Sequence, residues 1–149
     1  MRIALFQPDI PGNVGAILRL AACFSVPIDL IEPCGFPFSD ARLRRAAMDY
    51  IDHVELVRHP DWNAFRAARG GRLLLLSSHG DTRLPDVRFE PDDILLFGSE
   101  SAGVPPHVRD SAALTIRIPM RPELRSLNLA VSAGIALGEA LRQTKAWPA

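Results

Sequence analysis

Three short segments hold the side chains best suited to chemistry. The first is Asn13-Val14-Gly15-Ala16-Ile17-Leu18-Arg19, where Arg19 is the only charged residue between Val14 and Phe24. A guanidinium keeps its proton and is seldom set among apolar residues without an acceptor, so an anionic group, either a structural carboxylate or a ligand, is expected beside it. The second is Leu96-Phe97-Gly98-Ser99-Glu100-Ser101-Ala102-Gly103-Val104-Pro105, a glycine-punctuated loop after an apolar run. Open α/β sheets bind ligands beyond the carboxyl ends of their strands, which is where this loop falls. Glu100 would repel a phosphate, and the run matches neither GxGxxG nor GxxxxGK[ST], so a polar or cationic ligand suits it better. Alternatively, the glycines only make a tight turn and Glu100 caps the next helix. The third is Ile116-Arg117-Ile118-Pro119-Met120 followed by Ser126-Leu127-Asn128. Ser126 suits a helix N-cap, and first-turn amides with Asn128 nearby can hold the polar edge of a nucleoside, although a capped helix after a proline loop is also ordinary architecture.

Other chemistries fit poorly. The run Glu100-Ser101-Ala102-Gly103 lacks the first glycine of an esterase elbow, and no histidine follows His107. A dinucleotide-dependent oxidoreductase needs GxGxxG after its first strand, which Asp9 to Gly15 does not supply. His53, His59, His79 and His107 share no ligand spacing, so no metal is expected. Cys23 and Cys34 form neither a CxxC nor a zinc pattern and read as buried free thiols.

The elements that must position these segments alternate between extended and helical patterns. Strands are expected at Arg2 to Phe6, Ile28 to Ile31, Val54 to Val57, Leu73 to Leu76, Ile94 to Phe97 and Leu114 to Ile118. The unbroken apolar runs among them look like strands covered on both faces of a parallel sheet. Helices are expected from Val14 to Phe24 with Asn13 as cap, after a possible cap at Asp40, from Pro60-Asp61 through Ala68 to a stop at Gly70-Gly71, and from about Leu127 to Lys145. The last is apolar around most of its circumference and must be buried in the fold or in a partner. This pattern predicts an α/β fold, a mostly parallel sheet with helices on both faces. Trp62 and Phe65 read as core rather than base-stacking platforms.

The chain has 149 residues, enough for one domain spanning 1–149. Its 48% hydrophobic and 23% charged composition is that of a globular protein. No segment approaches the ~20 apolar residues of a membrane span, and the N-terminal run is too short for a secretory signal core, so a cytoplasmic location without membrane contact is expected. Seventeen basic and seventeen acidic side chains give a formal net charge of +0. Binding to a polyanion must therefore rest on a local patch, for which Arg42, Arg44 and Arg45 are candidates, a solvated helix face being the alternative.

Taken together and in order, the three segments resemble the motifs of the SPOUT superfamily of knotted RNA methyltransferases, in particular the small proteins that 2′-O-methylate the wobble nucleotide of tRNA. Asn13, Gly15 and Arg19 resemble the first motif; Phe97, Gly98, Glu100 and Gly103 the second; Ile118, Pro119, Met120, Ser126, Leu127 and Asn128 the third. Arg42-Leu43-Arg44-Arg45-Ala46 with Asp49-Tyr50 looks like a stretch typical of the tRNA subgroup. The resemblance implies a C-terminal trefoil knot, an obligate homodimer with the site where knot loops meet the neighbouring subunit, S-adenosyl-L-methionine as cofactor and tRNA as substrate. It implies a cofactor pocket of Leu76, Gly98, Gly103, Ile118, Met120, Ser126 and Leu127, and catalytic or positioning roles for Arg19, Asn13, Glu100 and Asn128. Where some relatives place a tyrosine, this chain has Gly138. Two further readings share the scaffold: a non-catalytic RNA-binding or assembly protein, and a methyltransferase acting on ribosomal RNA, whose larger relatives often add an RNA-binding domain. A guanidinium is a poor general base, so Arg19 is expected to bind the ribose hydroxyl and an adjacent phosphate while phosphate or water takes the proton.

Overall fold

The computed structural model describes every residue except Phe38 and the side chain of Asp40. The described residues form seven strands, β1 (Arg2–Phe6), β2 (Ile28–Ile31), β3 (Leu56–His59), β4 (Leu73–Leu76), β5 (Thr82–Arg83), β6 (Ile94–Phe97) and β7 (Leu114–Arg117), and five α-helices, α1 (Pro11–Phe24), α2 (Asp40–Ala47), α3 (Trp62–Ala68), α4 (Pro106–Asp110) and α5 (Leu129–Thr144), which alternate except between β4 and β6. The sheet order is β3-β2-β1-β6-β4-β7-β5, with every neighbouring pair parallel. One face packs Ile3, Leu5, Leu74 and Leu95 against α1, α2 and α5. The other packs Ala4, Phe6, Leu75 and Leu96 against Phe65 of α3 and Val108 of α4. Phe65 is fully buried and Trp62 packs beside it at 5.3 Å, as core rather than as a stacking platform.

Several boundaries differ from the sequence expectation for local reasons. Helix α1 starts at Pro11, whose fixed φ and missing N–H suit the first helical position, and its cap residue Ile10 gives no side-chain bond. Asn13 therefore sits inside the first turn instead of capping it. Ser39 caps α2 by accepting from the Arg42 amide, so Asp40 is the first helical residue; its side chain lies outside the described residues. Strand β3 runs two residues later than the Val54 to Val57 expectation, in register with β2. Helix α5 is capped by Asn128, whose side chain accepts from the amides of Ala130 and Val131, and not by Ser126. Cys23 is exposed and Cys34 half-buried, contrary to the buried expectation for both, and both are free thiols. Burial, with the nearby carboxylates Glu32 and Glu100, pushes the Cys34 thiol up to about 11, so it stays protonated at neutral pH.

The sheet carries one fully buried carboxylate, Asp29 in β2. Arg2 Nε lies 2.7 Å from it, His59 Nε2 2.7 Å and Arg69 3.1 Å. Burial pushes this carboxyl up, but hydrogen bonds from Arg2 and His59, with the Arg69 charge, outweigh that and hold it below its ordinary range. Its contribution to stability is thus present above the unfolded-state value of about 4 and is lost as pH falls through the depressed folded-state value. Asp29→Ala strands three cationic or donor groups and is expected to cost about 3 kcal/mol in urea unfolding at pH 7. The difference from wild type should shrink toward pH 2; an unchanged urea midpoint at neutral pH would contradict this role.

Among the described residues no helix is long and apolar enough to cross a membrane.

Candidate functional site

The carboxyl ends of β4, β6 and β7 open into a cavity of about 510 Å³. This is within the ~300–1,000 Å³ typical of small-molecule sites. Its lining includes Asn13, Leu76, Gly98, Glu100, Gly103, Ile118, Met120, Ser126, Leu127 and Asn128, so all three sequence segments border one space. Leu76, Phe97 and Ile118 reach it because each ends or directly follows a strand, β4 and β6 being buried up to that point and β7 at Ile116.

The loop after β6 is shaped by its own backbone. Ser99 and Gly103 exchange hydrogen bonds of 3.0 and 2.9 Å, closing a five-residue turn that Gly103 completes at a φ of +62°. Gly98 lies against this turn so closely that a Cβ there would fall 2.5 Å from the Gly103 carbonyl carbon. Gly98 and Gly103 thus pack backbone on backbone at the edge of the cavity, a contact that only glycine at position 98 allows.

Glu100 does not cap the following helix. Its Oε2 accepts from the Asp9 amide at 2.7 Å, while the Asp9 carboxylate accepts from the Ser101 amide at 2.9 Å and from the Ser101 hydroxyl. This double latch ties the loop after β1 to the loop after β6. Glu100 Oε1 is left buried without a hydrogen-bond partner. A buried oxygen in that condition carries a desolvation cost, which the latch through Oε2 offsets.

The third segment joins the first through a single bond. Asn128 Nδ2 donates to Asn13 Oδ1 at 2.9 Å across 115 residues of sequence, while its own Oδ1 holds the first turn of α5. Asn128 is thereby fixed at both ends of its amide, and Asn13, nearly buried, faces the cavity.

Arg19 is placed differently from the sequence expectation. It is exposed, does not border the cavity, and among the described residues pairs with no carboxylate. Its Cζ stands 4.9 Å over the centroid of the Tyr50 ring, and its Nη1 lies 3.6 Å from Met48 Sδ. The arginine occupies the outer face of α1 with Ala16 and Cys23, all three exposed at helical spacing. Arg42, Arg44 and Arg45 are exposed on the neighbouring α2, which is drawn onto α1 by Gly15: a Cβ there would fall 2.3 Å from the Ala46 Cβ. Arg44 pairs with Asp52 at 3.1 Å.

Sequence reasoning missed several lining residues, among them Ser77, Ser78 and His79 directly after β4, and Arg109 on α4. The position of Ser77 to His79 just beyond an apolar strand was the available signal. Asp9 carried no such signal, because its partners lie 91 and 92 residues away. Among the described residues no group of three or more His, Cys, Asp or Glu is arranged to hold a metal ion.

The apolar side chains of Leu76 and Ile118 beside the backbone of Gly98 and Gly103, with Ser126 and Asn128 on the same cavity, suit an aromatic base joined to a polar tail. Comparison with known proteins points the same way. The pattern of the SpoU rRNA methylase family matches residues 1–138. A tRNA (cytidine(34)-2′-O)-methyltransferase from Beijerinckia indica is 55% identical over 147 residues, covering 97% of this chain and 92% of that protein. A solved structure described as giving insight into 2-OH methylation of C/U34 on tRNA superposes with a TM-score of 0.90 at 44% identity, covering 95% of this chain and 94% of the other. An AdoMet-bound rRNA methyltransferase from Sinorhizobium meliloti superposes with a TM-score of 0.82 at 30% identity, covering 95% of this chain and 55% of the other.

Proposed function

Because the chain belongs to the SpoU rRNA methylase family, we propose that it is a tRNA 2′-O-methyltransferase that transfers the methyl group of S-adenosyl-L-methionine to the ribose of nucleotide 34, a cytidine or uridine. The observation that carries this reading is the convergence of three distant segments on one cavity, with Asn13 bonded to Asn128 and Gly98 on the same lining. Identity of 55% to the tRNA-modifying relative, against 30% to the rRNA-modifying one, favours tRNA as substrate.

Bound in this cavity, the cofactor supplies an electrophilic methyl carbon on a sulfonium. Transfer of that methyl group to the ribose 2′-oxygen would release the thioether, and the hydroxyl proton would pass to phosphate or water. The protein aligns and screens. Leu76, Ile118 and Met120 exclude water from the cavity, Gly98 and Gly103 permit close backbone approach, and Ser126 and Leu127 form its rim ahead of α5. Glu100 and Asn128 hold the loops that define the geometry, and Asn13 fixes Asn128. Arg19 binds the 2′-oxygen and an adjacent phosphate, stabilising charge that develops on the oxygen. Arg42, Arg44 and Arg45 contact the phosphate backbone, a salt-sensitive contribution.

The chain acts as one cytoplasmic domain, its C-terminal part threaded as a trefoil knot, and as a homodimer. Val131 and Ile135 project from α5 at 50% and 41% exposure, an apolar face that a second copy would cover. On this reading the Arg19 that serves a cavity is the partner copy's, since Arg19 does not border the cavity of its own chain.

Incubation with S-adenosylmethionine and total tRNA, followed by mass-spectrometric mapping, tests the reading. Ribose methylation at nucleotide 34 is the expected product. Cofactor binding with no transfer to any tRNA would favour a non-catalytic RNA-binding role, and transfer to ribosomal RNA alone would reassign the substrate.

A further inference from the structure

We infer that Tyr50 and Met48 form an uncharged cradle that positions the Arg19 guanidinium while leaving its charge and its N–H donors available to RNA. The inference rests on the reading of Arg19 as the group that meets the ribose and phosphate. An exposed arginine on a helix is ordinarily mobile, with several rotatable bonds between its backbone and its charge. Here two contacts restrict it: the Tyr50 ring face at 4.9 Å and the Met48 sulfur at 3.6 Å. Both come from one short segment, a 3-10 turn over Met48–His53 that follows α2.

The chemistry of the partners is the informative part. A carboxylate would fix the guanidinium more firmly, but it would neutralise the charge and compete with a phosphate for the same donors. An aromatic face attracts the cation through its quadrupole, and a thioether is a weak acceptor; neither neutralises it. The segment is also shaped to deliver these groups. Met48 turns the chain at a φ of +57°, a region that favours glycine, and its side chain is 55% exposed beside Arg19 instead of buried in the core. Tyr50 is half-buried, so its ring is held by the fold while one face meets the cation. Arg44 bonds Asp52 at 3.1 Å, which ties α2 to the same turn.

Tyr50 is therefore a positioning residue whose effect passes through Arg19. Its test uses the full chain with tRNA, reading kcat and KM for methyl transfer alongside S-adenosylhomocysteine affinity by calorimetry. Tyr50→Leu is expected to lower kcat about tenfold with cofactor affinity unchanged, since a small misplacement of a catalytic group is costly. Tyr50→Phe, which keeps the ring, is expected to restore most of that loss. In an Arg19→Ala background, Tyr50→Leu should add almost nothing, because the two residues act as a unit. Equal losses for Leu and Phe, an unchanged kcat for Leu, or a full additional loss in the Arg19→Ala background would each overturn the inference. Full activity of Arg19→Ala alone would remove the catalytic reading of Arg19, and the cradle's purpose with it.

Discussion

Replacing Gly98 by alanine is expected to weaken S-adenosylhomocysteine binding about a hundredfold while leaving the chain folded. The added Cβ would fall 2.5 Å from the Gly103 carbonyl carbon and 2.8 Å from its Cα, and both of these neighbours are backbone. They cannot swing aside as a side-chain tip would, because Gly103 is held to Ser99 by two hydrogen bonds and the loop is latched to Asp9 through Glu100 and Ser101. The loop must open, and overpacking of this kind costs about 1–3 kcal/mol, the upper end of which corresponds to about a hundredfold in affinity. Gly103→Ala is the informative comparison. No atom lies within 4 Å of a Cβ there, so its penalty is the left-handed φ of +62° alone. That is worth about 1–2 kcal/mol, roughly tenfold. Calorimetric titration of both variants checks the order; a Gly98→Ala protein that binds like wild type would remove the Gly98–Gly103 contact from the site.

Arg19→Ala is expected to reduce methyl transfer by about 10²- to 10³-fold, the loss typical of removing one donor to a developing oxyanion. Cofactor affinity should stay unchanged, because Arg19 is assigned to the ribose oxygen and the phosphate and not to the cofactor. Arg19→Lys should recover little: an ammonium carries the charge but cannot bind hydroxyl and phosphate together in one planar fork. Near-full activity of the lysine variant with unchanged RNA affinity would contradict the bidentate role. Mixing Arg19→Ala with Gly98→Ala subunits separates action within a chain from action across a dimer. If Arg19 serves the partner's cavity, half of the randomly mixed dimers regain one working site, and about a quarter of wild-type activity returns. If it serves its own cavity, no mixed dimer combines an intact pocket with its arginine and activity stays low.

Much of the fold was legible because burial on both faces of a parallel sheet leaves unbroken apolar runs such as Leu73–Leu76 and Ile94–Phe97. The site was legible where function imposes unusual residues next to such runs, as at Gly98 to Gly103. What escaped the sequence was contact between distant segments. Asn13 looked like a cap because caps are local, whereas its partner Asn128 lies 115 residues away. The alternative reading of Glu100 as a cap was local in the same way, whereas its latch to Asp9 depends on β1 and β6 being neighbours in the sheet. Arg19 looked embedded because its helix has no other charge, yet Ala16 and Cys23 share its exposed face and are simply small. A helix can show water a face that carries no charged pattern. Helix α5 was read as buried in the fold or in a partner, and Val131 and Ile135 are the part of its apolar surface that the single chain leaves exposed.

The most direct measurement is a crystal structure of the chain with S-adenosylhomocysteine and a tRNA anticodon stem-loop. The expected result places the adenine between Leu76 and Ile118 against the Gly98–Gly103 turn, with nucleotide 34 directing its 2′-oxygen at the thioether sulfur and an Arg19 guanidinium on that oxygen. Nucleoside density elsewhere on the chain, or a ribose at the cavity with no arginine from either copy beside it, would contradict the site and the chemistry assigned to it.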